Sequence, residues 1–218
     1  FGVTDYKLKL SGRAAEDRTR LELFQESARP GDTVRLDANN VWPDAATAQA
    51  ALQGWAARAF ALEEPLRANN YAGLQALADA LGMKIILDES FLRSEQFSAL
   101  AAHPAPWIIN LRVSKMGGLL RSLEVVERAA SLSIPLIVGC QVGETSLLTR
   151  AALTVADAAR RAGNLIAQEG AFGTLLLTRD VVAQPLTFGA RGALDPATLG
   201  LNERTGWGLA FQPDAPAA

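Results

Sequence analysis

Four short segments of this 218-residue chain end in a carboxylate or an ammonium at the point where a β-strand would hand over to a loop. They are Tyr6-Lys7-Leu8-Lys9-Leu10, Val34-Arg35-Leu36-Asp37-Ala38-Asn39, Ala61-Leu62-Glu63-Glu64-Pro65 and Ile86-Leu87-Asp88-Glu89-Ser90, and they recur about every 25 to 28 residues, the period of one β/α unit of a barrel. Chemistry in such a barrel sits at the carboxyl ends of the strands. Acids and amines converging on that rim point to a divalent metal site with a lysine base beside it, rather than to a row of solvated charges.

Between and after these segments the chain alternates β-rich runs with Ala/Leu-rich runs of helical period. Helices are expected over 14–26, 45–57 with Trp55 on the buried face, 71–81 up to Gly82, 94–102, 119–131 after Gly117-Gly118, and 146–162. Further strands are expected over 107–112, 135–139 and 165–168. Seven strands in strict alternation with helices predict an α/β fold with parallel pairing, a TIM-type (β/α) barrel one unit short of eight. A doubly wound open sheet is the alternative, but it would not set polar residues at the end of nearly every strand. It would also lack its usual phosphate cradle, because neither Gly-x-Gly-x-x-Gly nor Gly-Lys-Ser/Thr occurs.

With 49% hydrophobic residues the chain can bury one sizeable core. A formal charge of -2, with both signs interspersed, offers nothing to nucleic acid or an anionic membrane, so the expected partners are small molecules. Cys140 is the only cysteine, which excludes an internal disulfide and a thiolate metal site and makes a reducing cytoplasm the default. No stretch approaches the roughly 18 consecutive apolar residues of a membrane span. The chain opens on Phe1, inside what reads as the approach to a strand, and an N-terminal portion is expected to precede it.

Strand alternation orients the candidates. Lys7 and Lys9 share a face, so two like charges enter one space, and Asp37 shares its face with Arg35. Glu63 and Glu64 must point to opposite sides, as must Asp88 and Glu89, so each doublet supplies one inward ligand. Alternation alone leaves open which acid of each doublet that is.

The ordered set of motifs resembles the catalytic barrel of the enolase superfamily, in its branch of muconate lactonizing enzyme and mandelate racemase. It comprises Lys-x-Lys at 7–9, Leu-Asp-Ala-Asn at 36–39, Leu-Glu-Glu-Pro at 62–65, Leu-Asp-Glu-Ser at 87–90, Asn-Leu-Arg-Val-Ser-Lys-Met-Gly-Gly at 110–118, Gly-Cys-Gln-Val-Gly-Glu-Thr-Ser at 139–146 and Phe-Gly-Thr-Leu-Leu-Leu at 172–177. The resemblance implies that Asp37, Glu63 and Asp88 hold Mg²⁺, with Mn²⁺ as a substitute, and that Lys9 is the base with Lys7 beside it. It also makes Asn39, Glu144 and Glu169, each just past a strand, candidates to touch a carboxylate substrate. Such an ion stabilises the enediolate left when a proton next to a carboxylate is removed, a proton otherwise too weakly acidic for an amine.

One position departs from the family's pattern: where a second lysine would face the base across the substrate, this chain has Arg112. A guanidinium stays protonated, so it is a poor acid or base and a good fixed charge. Lys115, three residues on, is the remaining substitute. One-base chemistry on Lys9 is therefore expected, as in a muconate cycloisomerase, with an acid-sugar dehydratase or an o-succinylbenzoate synthase-like lyase as alternatives. A catalytically silent barrel serving as a binding or assembly module is the reading from another class. The resemblance further implies an N-terminal capping domain roofing the site, a homo-oligomer, and a barrel domain over 1–218 whose 186–218 tail, with its run Gly206 to Phe211, packs on that cap. His103 reads as a surface residue and Cys140 as a small packed thiol.

Overall fold

The computed structural model describes residues 2–55, 58–170, 173–194, 200, 203 and 205–212. Among the described residues seven strands alternate with helices in chain order, and every strand pairing described is parallel and joins strands consecutive in sequence, the β/α alternation of a TIM-type barrel. The described residues divide into two compact units, one of Val3–Asn110 with Leu132–Ile134 and one of Gly2, Leu111–Ser131 and the described residues from Pro135 onward.

The first unit contains β1 (Asp5–Lys9), α1 (Ala14–Ser27), β2 (Thr33–Asp37), α2 (Ala45–Leu52), β3 (Ala61–Glu63), α3 (Tyr71–Leu81), β4 (Lys84–Leu87), α4 (Phe97–Leu100) and β5 (Trp107–Leu111), whose last residue belongs to the second unit. Leu36, Leu62, Ile85, Ile86, Leu87 and Ile109 are fully buried, as the middle strands of a parallel sheet must be when both faces are covered. Helix α3 has the expected bounds because both of its ends are written locally. Asn70 accepts the Gly73 N–H at 3.1 Å, and Gly82 takes the left-handed conformation (φ 63°) that ends the helix.

Helix α2 starts at an Asp44 cap that accepts the Thr47 N–H at 2.8 Å, but it stops five residues short of the expected Ala57. Gln53 leaves the helical region and Gly54 reverses the chain at φ 86°. Trp55 is therefore on a turn, half-buried, with the Arg58 guanidinium 5.3 Å from its ring centroid. Ala56 and Ala57 lie outside the described residues. The helix expected over 94–102 is likewise reduced, to a 3₁₀ turn at Ser94–Gln96 and the single turn α4.

The second unit holds α5 (Val113–Met116), a short turn the periodicity did not signal, then α6 (Leu119–Ser131), β6 (Leu136–Val138), α7 (Ser146–Arg161), β7 (Leu165–Gln168) and α8 (Gly173–Leu176). Phe172, which opens the last motif, lies outside the described residues. Part of the tail packs within this unit: Leu186 and Leu153 of α7 are buried together, with Leu194 and Leu209 against them. Arg150 of α7 donates to the Trp207 carbonyl at 3.0 Å, and Val182 and Phe211 form an antiparallel bridge. Trp207 and Phe211 remain 40% and 58% exposed. Among the described residues no helix is long and apolar enough to cross a membrane.

Candidate active site

The parallel register assembles the strand-end residues of the first unit. Lys9 pairs with Asp37, Asp37 with Glu63, Glu63 with Ile86 and Ile86 with Ile108. Registered partners point to the same side of a sheet, so Lys7, Lys9, Asp37 and Glu63 share one face, and Asp88 and Asn110, each two residues further on, continue it.

On this face every ammonium meets a carboxylate. Lys7 Nζ lies 3.2 Å from Glu63 and 3.5 Å from Asp37. Lys9 Nζ lies 2.5 Å from Asp37 Oδ2 and donates to Asn39 Oδ1 at 2.7 Å. The mutual repulsion of two lysines expected from the sequence is thus offset by ion pairing. Asn39, exposed and at φ 44°, also donates its N–H to Asp37 Oδ1 at 3.2 Å. Asp37, Glu63 and Asp88 are each 1% exposed. Buried carboxylates at this density need cations or donors, because an unpaired buried charge costs several kcal/mol.

The two doublets are resolved by burial and hydrogen bonding. Glu63 turns to the face of Asp37, and Glu64 turns away into the protein, fully buried and at φ 38°. Glu64 Oε1 accepts the backbone N–H groups of Asp88 at 2.7 Å and Ser90 at 2.6 Å, and Oε2 accepts the Ser90 hydroxyl at 2.9 Å and the Asn40 amide at 3.3 Å. Burial pushes its carboxyl up to about 7 against the pull of these donors. Asn110, which opens the 110–118 motif and was assigned no role from the sequence, is 1% exposed, and its side-chain amide donates to Glu63 Oε1 at 2.9 Å. Its signal was a lone amide inside the apolar run Trp107–Leu111.

Among the described residues no three acid, histidine or cysteine side chains converge closely enough to hold an ion with their present rotamers. Asp37 and Glu63 are brought together, and Asp88 follows on their face without completing a trio. The donor chemistry nevertheless fits a hard divalent cation, since two buried carboxylates already share one positive centre, the Lys7 ammonium, with a third acid beyond them.

The remaining candidates belong to the second unit. Arg112, half-buried and just past β5, donates to Gln141 Oε1 at 3.2 Å, and Gln141 in turn donates to the Ser114 hydroxyl at 3.1 Å. Lys115 is half-buried on α5. Glu144, proposed from its position as a substrate contact, uses Oε2 on the Gln141 N–H at 2.9 Å and Oε1 on the Thr149 hydroxyl at 3.3 Å, which braces its own loop. Burial raises its carboxyl above the ordinary range. Glu169 accepts the Cys140 N–H at 3.4 Å, and Cys140 is half-buried and in no disulfide. Gly173 packs so closely on Glu144 that a Cβ would stand 1.7 Å from the Glu144 carbonyl oxygen, which explains a glycine in that motif. His103 is exposed, as expected.

The sequence model of the enolase C-terminal domain-like family matches residues 1–215. Muconate cycloisomerase 1-2 of Acinetobacter lwoffii is 29% identical over 192 residues, 84% of this chain and 47% of that protein. L-Lys-D/L-Arg epimerase of Methylococcus capsulatus is 31% identical over 218 residues, 98% of this chain and 57% of that protein. Among solved structures, the dipeptide epimerase of Enterococcus faecalis V583, complexed with Mg and the dipeptide L-Leu-L-Tyr, matches with a TM-score of 0.82 over 95% of this chain and 56% of that one; at 23% identity this speaks to the fold alone. The chain spans about half the length of these relatives. With strand-end acids and paired lysines set out as described, the chain belongs to the enolase C-terminal domain-like family, in the branch of muconate lactonizing enzyme and mandelate racemase.

Proposed function

We propose that this chain carries the metal ligands and the base of an enzyme that removes a proton α to a carboxylate in a small-molecule substrate. Asp37, Glu63 and Asp88 would hold Mg²⁺ or Mn²⁺, and Lys9 would take the proton. The observation that carries this reading is the pairing of Lys7 and Lys9 with the buried Asp37 and Glu63 on one strand face. A bound divalent cation would supply the positive charge that an enediolate needs.

Lys9 reaches Asp37 and Asn39 at once, so Asn39 Oδ1 can hold its amine when Asp37 is engaged as a ligand. Lys7 keeps a cation beside Glu63 and Asp37 and balances their charge. Arg112 is a permanent cation suited to the substrate carboxylate rather than to proton transfer. One base then removes and returns the proton, or sees a leaving group depart, on a single face. Cycloisomerisation of the muconate type is the reading favoured here, and a dehydratase or o-succinylbenzoate synthase-like elimination uses the same groups.

Epimerisation is a second reading, supported by the names of several relatives. It requires an acid–base group besides Lys9, and Lys115 would have to provide it. The substrate's remaining features would be read by an N-terminal capping domain of the kind the family resemblance implies. The test is a panel of carboxylates, muconates and dipeptides among them, incubated in D₂O with the protein that carries this chain, with α-proton exchange followed by NMR. Exchange is expected to require Mg²⁺ and to vanish in Lys9→Ala. Persistence in that variant, or indifference to EDTA, refutes the assignment, and no exchange with any carboxylate favours a binding module.

A further inference from the structure

Glu64 is the acid of the Leu-Glu-Glu-Pro motif that faces away from the lysines, and its arrangement is costly for a residue with only a packing role. It is fully buried, it carries a carboxylate, and its backbone at φ 38° lies in the left-handed region that side chains other than glycine seldom adopt. Both oxygens are fully used. Oε1 takes the N–H groups of Asp88 and Ser90, and Oε2 takes the Ser90 hydroxyl and the Asn40 side-chain amide.

The main chain of the same residue ties in two further places. Glu64 N–H donates to the Ile86 carbonyl at 3.1 Å, and Asn40 N–H donates to the Glu64 carbonyl at 2.6 Å. One residue therefore joins the exits of β2, β3 and β4, the three strands from which Asp37, Glu63 and Asp88 project. Asp88 stands one residue past the end of β4, where ladder hydrogen bonds no longer hold the backbone. The two amides on Oε1 lie on either side of the Asp88 Cα, one its own N–H and the other that of Ser90.

We propose that Glu64 is a positioning residue for the metal site: by gripping the Asp88 and Ser90 amides it fixes the main chain from which the Asp88 carboxylate would reach an ion held by Asp37 and Glu63, without touching that ion itself. The inference rests on the assignment of Asp37, Glu63 and Asp88 as ligands. Partners that orient a ligand change metal affinity by about 10- to 100-fold when removed.

The test is Mn²⁺ titration by electron paramagnetic resonance on the protein that carries this chain, beside thermal melts in EDTA. Glu64→Ala is expected to weaken Mn²⁺ binding by about 10- to 100-fold. Glu64→Gln keeps an oxygen for both amides and should bind within about threefold of the parent, a rescue that charge alone would not give. If the alanine variant does not fold, Glu64→Asp, one methylene too short to span both amides, carries the same expected loss. Leu74→Ala, a fully buried position on α3 away from the strand ends, should lower the melting temperature and leave Mn²⁺ affinity unchanged. Parent-like affinity in Glu64→Ala, or in Glu64→Asp where that stands in, overturns the inference while Asp37→Asn still abolishes binding. Failure of the parent protein to bind Mn²⁺ overturns the ligand assignment and this inference together.

Discussion

Replacing Lys7 with methionine keeps an unbranched apolar stem of similar length and removes the ammonium that pairs with two buried carboxylates, Asp37 and Glu63. At 3.2 Å from Glu63 and 3.5 Å from Asp37, the ammonium gains about 5 kcal/mol of attraction from each at an effective dielectric of about 20. Much of that sum offsets the cost of taking the groups out of water. Breaking a buried pair from one side costs about 3–5 kcal/mol in practice. The lower end applies here, because the Lys7 side chain keeps 20% exposure and Asp37 retains Lys9 at 2.5 Å. Glu63 keeps the neutral Asn110 amide as a donor. The expected loss is about 3 kcal/mol without metal, or roughly 6–12 °C in melting temperature for a domain of this size. Thermal melts in EDTA and in saturating Mg²⁺ measure it. A divalent ion restores positive charge to the same carboxylates, so the deficit should shrink with Mg²⁺, and the variant should bind the ion more tightly than the parent because no ammonium competes. An unchanged melting temperature in EDTA would refute the described pairing. A deficit that Mg²⁺ leaves intact would refute the claim that these acids serve the ion.

Arg112→Ala should weaken substrate binding or slow turnover while leaving α-proton exchange measurable in D₂O, and complete loss of exchange would end the one-base scheme. Gly173→Ala forces a Cβ to within 1.7 Å of the Glu144 carbonyl oxygen, so the 141–145 loop must move. A loss of about 3 kcal/mol by urea unfolding is expected, and a neutral result would mean that this approach is not as close as described. The raised carboxyl of Glu144 gives a pH signature. Its folded form holds the proton to higher pH than the unfolded chain, so its contribution is complete below the ordinary value of 4.5 and is lost as pH rises through the folded value. Glu144→Gln should therefore flatten the decline of stability with pH in that window, and an unaltered slope would show that burial does not shift this group.

The positions of Lys9, Asp37, Glu63 and Asp88 at or just past the ends of β1 to β4, with Lys7 on the face of Lys9, were legible in the sequence because strand alternation and the length of a β/α unit are local properties of the chain. The bounds of α3 were legible for the same reason, with Asn70 and Gly82 writing its caps at either end. The early stop of α2 had a local signal as well, Gly54 directly after Gln53, but the helix-favouring alanines on either side outweighed it in the reading of the period. Alternation could say that Glu63 and Glu64 diverge, but only the packed fold decides that the outward side is also buried, which turns Glu64 into a clamp on Asp88 and Ser90. The pairing of the lysines with Asp37 and Glu63, the amide of Asn110 on Glu63, and the contact of Gly173 with Glu144 join residues from 28 to 56 positions apart in the chain. Sequence periodicity determined which side chains could share a face; which of them touch depends on register and on burial, and both arise only when the strands pair and the helices cover them.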